Sequence, residues 1–202
     1  MQQRSERKDA ARHRELILDT ASQLFHEHGV ESVSMHQIAK SAGIGQGTLY
    51  RRYSSKAELC MELLNDSFNR FSEQTTAVLK EAGHASARER LTLFLGRWIE
   101  YLSDEMQWFN AIKPDVWCSD EKVNMFDSPP FLYVTGTIRG LLEEAVQGGE
   151  AKQPLQTEFA AFNIATSMSP IAFVYFTEDR GLTPEQMKQQ YIDYYVGLLF
   201  KP

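Results

Sequence analysis

Residues 34–56 read SMHQIAKSAGIGQGTLYRRYSSK, and this stretch decides the fold. Ser34, followed three residues later by Gln37, forms a capping box that predicts the start of a short helix. Gly43 ends that helix, and a second short helical segment is predicted over residues 46–53. Two short helices joined by a glycine-bearing turn are the pattern of a helix-turn-helix. Neither helix is long enough to be stable alone, so both must pack against longer neighbours.

Longer helices are predicted on both sides of this stretch. Residues 8–28 place apolar side chains at i, i+4 and i+8, and Gly29 follows as a left-handed C-cap. The run from Ser55 to Glu58 is a second capping box, and a long amphipathic helix is predicted from there to about Ala82.

The second short helix has two different faces. At about 100° per residue, Leu49 and Tyr53 fall on one side and are predicted to face the core. The residues on the opposite side and its flanks suit contact with base edges, since Gln pairs with adenine, Arg with guanine and Thr offers a methyl and a hydroxyl. Lys56 lies in the first turn of the next helix, where free N–H groups favour a phosphate. The outward set is Gln46, Gly47, Thr48, Tyr50, Arg51 and Arg52.

Over about residues 14–62 the sequence resembles the TetR family of transcriptional regulators. The matching elements are Ile17-Leu18, Ala21, Leu24-Phe25, Gly29, Ile38-Ala39, Ala42-Gly43-Ile44, Gly47-Thr48-Leu49-Tyr50, Tyr53, Lys56 and Leu59. The resemblance implies a three-helix DNA-binding domain followed by a dimeric, ligand-receiving body. By motif position it implies DNA contacts at Ser34, His36, Gln46, Gly47, Thr48, Tyr50, Arg52 and Lys56. Gly45 departs from the family's usual polar N-cap, and Tyr53 from its commoner phenylalanine.

The remaining sequence predicts an all-α fold of two domains. Helical spacing continues beyond Gly83, and no alternating strand pattern of useful length occurs. We expect a helix-turn-helix domain over residues 1–54 and a helical effector-binding and dimerisation domain over residues 55–202.

The net charge of −6 is unevenly distributed. Residues 1–60 hold nine Lys and Arg against seven Asp and Glu, whereas residues 61–202 hold twelve against twenty. The N-terminal part therefore tolerates a polyanion that the rest of the chain repels. Basic residues near the N-terminus could reach phosphates or remain solvated, and these are Arg4, Arg7, Lys8, Arg12 and Arg14.

Several function classes are disfavoured. Cys60 and Cys118 form no C-x-x-C pair, and their small number is typical of a reducing cytoplasm. Residues 159–177 carry no formal charge over about the length of a membrane span, but the polar residues and Pro170 within them favour a helix buried in protein and bent at the proline. We therefore expect no membrane association. His26 and His28 face different sides of a helix, and no catalytic, metal or cofactor motif occurs, so the chain is not expected to be an enzyme.

The C-terminal body contains two notable apolar groups. Aromatic residues around the proline-bearing segment 113–130 either belong to the core or form a pocket for a small apolar or aromatic effector, and we predict the pocket. The last two predicted helices are apolar on more faces than one chain covers, which predicts pairing with a second copy in a four-helix bundle. The predicted pocket residues are Trp98, Tyr101, Phe109, Trp117, Phe126, Tyr133 and Phe162. The predicted dimer residues are Ile164, Met168, Ile171, Tyr175, Tyr191, Tyr195 and Leu198.

These patterns together predict a homodimeric DNA-binding regulator, a repressor released from a palindromic operator by its effector. In this hypothesis the effector moves the long helix that begins at Ser55 and so changes the separation of the two DNA-binding heads. A helical small-molecule binding protein without operator recognition remains the alternative.

Overall fold

The computed structural model describes residues 2–111 and 125–201, and for residues 2–11, Gln107, Asn110 and Ala111 it describes the backbone alone. Trp117 and Cys118 lie outside the described residues. Within the described ranges the chain is helical, and its extended pairing is an isolated bridge between Ala151 and Phe200. The all-α fold class is confirmed.

The described part of the chain contains eleven α-helices. In chain order they are α1 (Gln2–His28), α2 (Met35–Ser41), α3 (Gln46–Arg52), α4 (Lys56–Glu81), α5 (Ala87–Asp104), α6 (Met106–Ala111), α7 (Pro129–Gln147), α8 (Thr157–Ser167), α9 (Pro170–Val174), α10 (Pro184–Tyr191) and α11 (Gly197–Leu199). A π-helical turn over Tyr175–Asp179 extends α9, and another over Ile192–Val196 joins α10 to α11.

The described chain divides into two compact units. Unit 1 contains the residues up to Ser67 together with α6 from Gln107 onward, and unit 2 contains Phe68–Met106 and the described residues after α6. Helix α4 contributes its first part to unit 1 and the remainder to unit 2. The domain boundary that we predict after residue 54 falls inside unit 1.

Capping residues set most helix starts. Ser34 forms the predicted capping box with Gln37, and Thr183 forms another full box with Gln186. At α4 the predicted box forms only by half. Ser55 Oγ accepts a hydrogen bond from the N–H of Glu58 at 3.2 Å, but the Glu58 carboxylate accepts from the N–H of Ser54 at 2.6 Å instead of turning back to Ser55.

The single bent helix predicted for the uncharged residues 159–177 is instead two helices. Helix α8 ends at Ser167, and Ser169 caps a new helix whose first residue is Pro170. Proline lacks an N–H and fits the first helical position, so it starts α9 here instead of bending α8. The axes of α8 and of α9 with its π-helical turn differ by 47°.

Unit 2 is closed by contacts near the chain's C-terminal end. The Glu150 carboxylate accepts hydrogen bonds from the N–H groups of Ala87 and Arg88, both at 3.1 Å, at the start of α5. The side chain of Phe200 is buried, and the N–H of Lys201 donates to the Glu150 carbonyl at 2.9 Å. Glu150 therefore joins the start of α5 to the last residues of the chain.

Candidate nucleic-acid interface and effector region

Helix α3 is attached to unit 1 by one apolar face. Leu49 is 0% exposed and Tyr53 is 1% exposed, and both belong to the buried core of unit 1 with Ile38 of α2. The predicted inward orientation of Leu49 and Tyr53 is confirmed. A seven-residue helix has too few internal hydrogen bonds to be stable alone, so this packing fixes its orientation.

The opposite face of α3 is open to solvent. Tyr50 is 46% exposed, and the guanidinium of Arg51 donates a long 3.4 Å hydrogen bond to Thr48 Oγ1. Gly45 caps α3 without a side-chain hydrogen bond, consistent with its departure from the family pattern. Thr48 is half-buried and the other outward residues are exposed, namely Gln46, Gly47, Tyr50, Arg51 and Arg52.

Two further predicted contact residues lie at the start of α2. His36 is exposed on its first turn. Ser34 is exposed as well, but its Oγ accepts from the N–H of Gln37 at 3.2 Å and donates to the Gln37 side chain at 2.9 Å. Ser34 is therefore committed first to capping α2.

Lys56 differs from the other predicted DNA contacts. Its ammonium donates to three backbone carbonyls of the turn between α1 and α2: Val30 at 2.6 Å, Val33 at 3.2 Å and Glu31 at 3.4 Å. The sequence predicts a phosphate contact at this position, and the structure places the ammonium against protein oxygens.

Arg14 also has protein partners. Its guanidinium forms ion pairs with Glu62 and with Asp66, the latter at 2.8 Å, and so connects α1 to the unit 1 part of α4. The sequence leaves two possibilities for the N-terminal basic residues, a phosphate contact or a solvated side chain. Arg14 fits neither of them, because the two carboxylates already compensate its charge.

Burial shifts the pKa values of two side chains in unit 1, Tyr53 and Cys60. The Tyr53 hydroxyl makes no hydrogen bond of normal geometry, although Arg52 and Glu62 are near enough to influence it, and burial raises the pKa of Tyr53. Burial also raises the pKa of Cys60 to about 11, so the thiol stays protonated at neutral pH.

Of the seven predicted effector residues, six lie in the described part of the chain, one in unit 1 and five in unit 2. Phe109 packs against the buried core of unit 1, next to Trp108, whose ring meets that of Phe25 edge-on at 5.5 Å. The ring of Phe109 therefore packs within unit 1, and its role as a pocket residue stays a prediction. Trp117 lies outside the described residues.

Three of the remaining pocket residues form a packed aromatic cluster in unit 2. Trp98 and Tyr101 stack at 5.3 Å, and Tyr133 meets Phe71 edge-on at 6.4 Å. Trp98 and Tyr101 are buried, and the indole N–H of Trp98 donates to the Met168 carbonyl at 2.9 Å. These contacts are those of a well-packed core, which is the other reading of the aromatic sequence.

The last two pocket residues lie in a separate cluster. Phe126 and Phe162 approach at 5.1 Å, each also contacts Phe131, and both remain partly exposed. The five predicted pocket residues of unit 2 therefore divide between one core cluster and one surface cluster.

A cleft of about 700 Å³ lies elsewhere in unit 2, along α9 and α10. The Tyr195 hydroxyl donates to Ser167 Oγ at 2.9 Å, and Tyr191 donates to the Ser167 carbonyl. Burial raises the pKa of Tyr191 to about 12. Tyr191 and Tyr195 belong to an apolar stripe in the sequence, and we predict that stripe as a dimer face. The cleft is therefore not predicted from the sequence. It is lined by Ser167, Ala172, Phe176, Leu182, Met187, Gln190, Tyr191, Asp193, Tyr194 and Tyr195.

The predicted dimer residues divide by exposure. Ile164 and Met168 are buried within their own chain, where a partner cannot reach them, so these two predictions are wrong. Ile171 is 60% exposed, and Tyr175 and Leu198 are also exposed. Phe159, absent from the predicted set, is 71% exposed, although its place in the uncharged run could have indicated it.

The described residues contain no single helix that meets the length and hydropathy of a membrane span, although α8 taken with α9 and its π-helical turn meets them as a bent pair. The same residues contain no group of three or more His, Cys, Asp or Glu side chains arranged to hold a metal ion.

Comparison with known proteins agrees with this arrangement. The family model described as bacterial regulatory proteins, tetR family, matches residues 17–63, which cover α2, α3 and the clamping parts of α1 and α4. An HTH-type transcriptional regulator of Staphylococcus aureus (strain bovine RF122 / ET3-1) is 27% identical over 94% of this chain and 96% of its own length. Residues 17–63 of the chain therefore match the DNA-binding region of the TetR family of bacterial regulatory proteins.

Solved structures show the same fold along nearly the whole chain. A transcriptional regulator from Saccharomonospora viridis in complex with choline is 22% identical, covers 95% of this chain and 100% of its own, and has a TM-score of 0.66. The regulator FadR from Bacillus subtilis in complex with stearoyl-CoA is 20% identical, covers 90% of this chain and 96% of its own, and has a TM-score of 0.60. The family and the curated relatives that the chain matches are transcriptional regulators, a non-enzymatic class of protein.

Proposed function

We propose that this TetR-family regulator is a homodimeric repressor that binds a palindromic operator through α3 and is released by a small apolar or aromatic effector. The observation that carries the proposal is the contrast between the two faces of α3. Leu49 and Tyr53 are buried, while Arg51 and Tyr50 on the outer side are exposed.

The outer face of α3 has the chemistry that reading a major groove requires. Arg51 and Arg52 add positive charge, and Gln46 carries an amide that pairs with adenine. Gly47 has no side chain, and no atom lies within 4 Å of where a Cβ would stand, so a duplex can approach the backbone closely at this point. His36 at the start of α2 supplies a further exposed contact.

The homodimer is supported by apolar residues that remain exposed on the C-terminal helices. Large apolar side chains in contact with water mark an interaction surface. A twofold pair would cover this surface and present two α3 helices to half-sites about 34–36 Å apart, or a multiple of that distance. The proposed partner surface consists of Phe159, Ile171, Tyr175 and Leu198.

The effector is assigned to unit 2, in the cleft along α9 and α10. A volume of about 700 Å³ is typical of small-molecule sites. Phe176 and Met187 provide apolar walls, and Gln190 provides a polar group. The two solved neighbours hold choline and stearoyl-CoA, which differ greatly in size and charge, so the shared fold leaves the effector chemistry to the residues of each chain.

Release requires only a modest coupling between effector and operator. A coupling free energy of about 1–3 kcal/mol changes operator affinity by roughly 5-fold to 150-fold. Helix α4 contributes residues to both units, and we propose that this helix transmits the coupling.

Selection from random duplexes at about 0.1 M salt tests the DNA-binding part. We expect an enriched palindromic sequence bound by a dimer, with affinity that falls steeply as salt rises. We then expect that some compounds in a panel of small aromatic and aliphatic molecules raise the melting temperature of the protein and weaken its binding to the enriched duplex. If selection enriches nothing while compounds still stabilise the chain, the alternative of a helical small-molecule binding protein replaces the repressor.

A further inference from the structure

Lys56 is half-buried at the first residue of α4, and its ammonium is surrounded by main-chain oxygens. We infer that Lys56 is a positioning residue, which holds the turn between α1 and α2 and thereby sets α2 against α3, and does not neutralise a phosphate. The inference rests on the proposed function, because DNA recognition is what the positioning serves.

The geometry uses the full donor capacity of the side chain. An ammonium has three N–H donors and no acceptor. Three carbonyls of the turn lie within 3.5 Å of Lys56 Nζ: those of Val30 at 2.6 Å, Val33 at 3.2 Å and Glu31 at 3.4 Å. A DNA phosphate would have to displace one of them.

The turn that Lys56 holds leads directly into the proposed DNA-binding face. Val30 and Val33 are buried, so the turn is anchored on its inner side by apolar side chains and on its polar side by the ammonium. The residue after Val33 is Ser34, which caps α2 and precedes the exposed His36. Removing the ammonium therefore leaves three carbonyls to be satisfied by water at the point where α2 begins.

Substitution by methionine isolates this role. Lys56→Met keeps most of the aliphatic stem and removes the donors. Lys80→Met makes the same change at an exposed position near the end of the same helix and controls for net charge. Arg51→Met removes an exposed cation from the proposed DNA face and represents a direct contact.

The variants are compared on the duplex that wild type enriches and on an unrelated duplex, at a temperature where circular dichroism shows all of them folded. For Lys56→Met we expect about tenfold weaker binding to the enriched duplex, unchanged binding to the unrelated one, and an unchanged salt slope. Arg51→Met should lower the slope by about 1, and Lys80→Met should change nothing. A global loss of folding would weaken both duplexes alike. A slope reduced by about 1 in Lys56→Met, with equal loss on both duplexes, overturns the inference.

Two measurements on free protein separate this inference from the proposed function. Amide hydrogen exchange at residues 33–37 should become faster in Lys56→Met and stay unchanged in Lys80→Met, whether or not any duplex binds. In wild type with nitrogen-15 lysine, the Lys56 ammonium protons should exchange with water more slowly than those of Lys80. Unchanged amide exchange in Lys56→Met, or fast ammonium exchange in wild type, refutes the inference even if operator binding is found. If wild type enriches no duplex, the proposed function fails, and these two measurements still decide the role of Lys56.

Discussion

The two faces of α3 can be separated by a matched pair of substitutions at neighbouring positions. Leu49→Ala removes three carbon atoms from a side chain that is fully buried in unit 1. At about 0.8 kcal/mol per buried methylene the transfer cost is about 2.4 kcal/mol, and incomplete closure of the resulting space brings the loss to about 3 kcal/mol. Tyr50→Ala changes an exposed side chain on the same helix, and the free energy of unfolding should change by less than about 0.5 kcal/mol.

Urea denaturation followed by circular dichroism measures the first effect, and titration of the enriched duplex measures the second. Leu49→Ala should lower the melting temperature by roughly 6–12 °C, at about 2–4 °C per kcal/mol for a chain of this size. Tyr50→Ala should leave the melting temperature unchanged and weaken duplex binding by about tenfold or more. If Leu49→Ala loses less than about 1 kcal/mol, or if Tyr50→Ala binds the duplex as wild type does, the assignment of the two faces is incorrect.

Three other outcomes follow from single contacts. Tyr53→Phe removes a buried hydroxyl that lacks a hydrogen bond, so the free energy of unfolding should stay equal or rise by up to about 1 kcal/mol. A lower melting temperature in thermal denaturation would show instead that the hydroxyl has a hydrogen-bond partner. Ile171→Asp should convert the dimer to monomer in analytical ultracentrifugation. Leu132→Asp changes a similarly exposed apolar residue outside the proposed interface and should leave the dimer intact. Equal effects of the two substitutions would refute the assignment of Ile171 to the dimer interface. Glu150→Ala leaves the two N–H groups at the start of α5 without their carboxylate acceptor, and it should lower the free energy of unfolding in urea by about 1 kcal/mol. An unchanged urea midpoint would contradict this role of Glu150.

Local signals explain why the DNA-binding region could be predicted in detail. Capping boxes, glycine stops and 3.6-residue periodicity act over three to eight residues, and the stretch around Ser34 and Leu49 contains all three. The half-formed box at Ser55 shows the limit of such signals. The motif is present, but the Glu58 carboxylate has a second N–H donor nearby, on Ser54, and the backbone geometry decides between the two.

Positions far apart in the chain could not be predicted from spacing. Aromatic residues of the C-terminal body look alike in sequence, yet Phe109 stabilises unit 1, Trp98 is packed in unit 2 and Phe162 lies near the surface. The stripe around Tyr191 reads as one apolar face, but part of it lines a cleft. An apolar residue is equally suited to a core, a pocket and an interface, because the hydrophobic effect has no direction.

The amino-acid sequence by itself determined the helical class, the positions of the short helices and the side of α3 that faces inward, since these depend on backbone hydrogen bonding and periodicity between near neighbours. Only the tertiary structure decided that the ammonium of Lys56 lies against three carbonyls, that Arg14 is neutralised by carboxylates some fifty residues away, and that Ile164 is buried within its own chain. The reason is physical: charges and apolar groups take whichever partner the fold brings within a few ångströms, and that partner is set by the packing of remote segments.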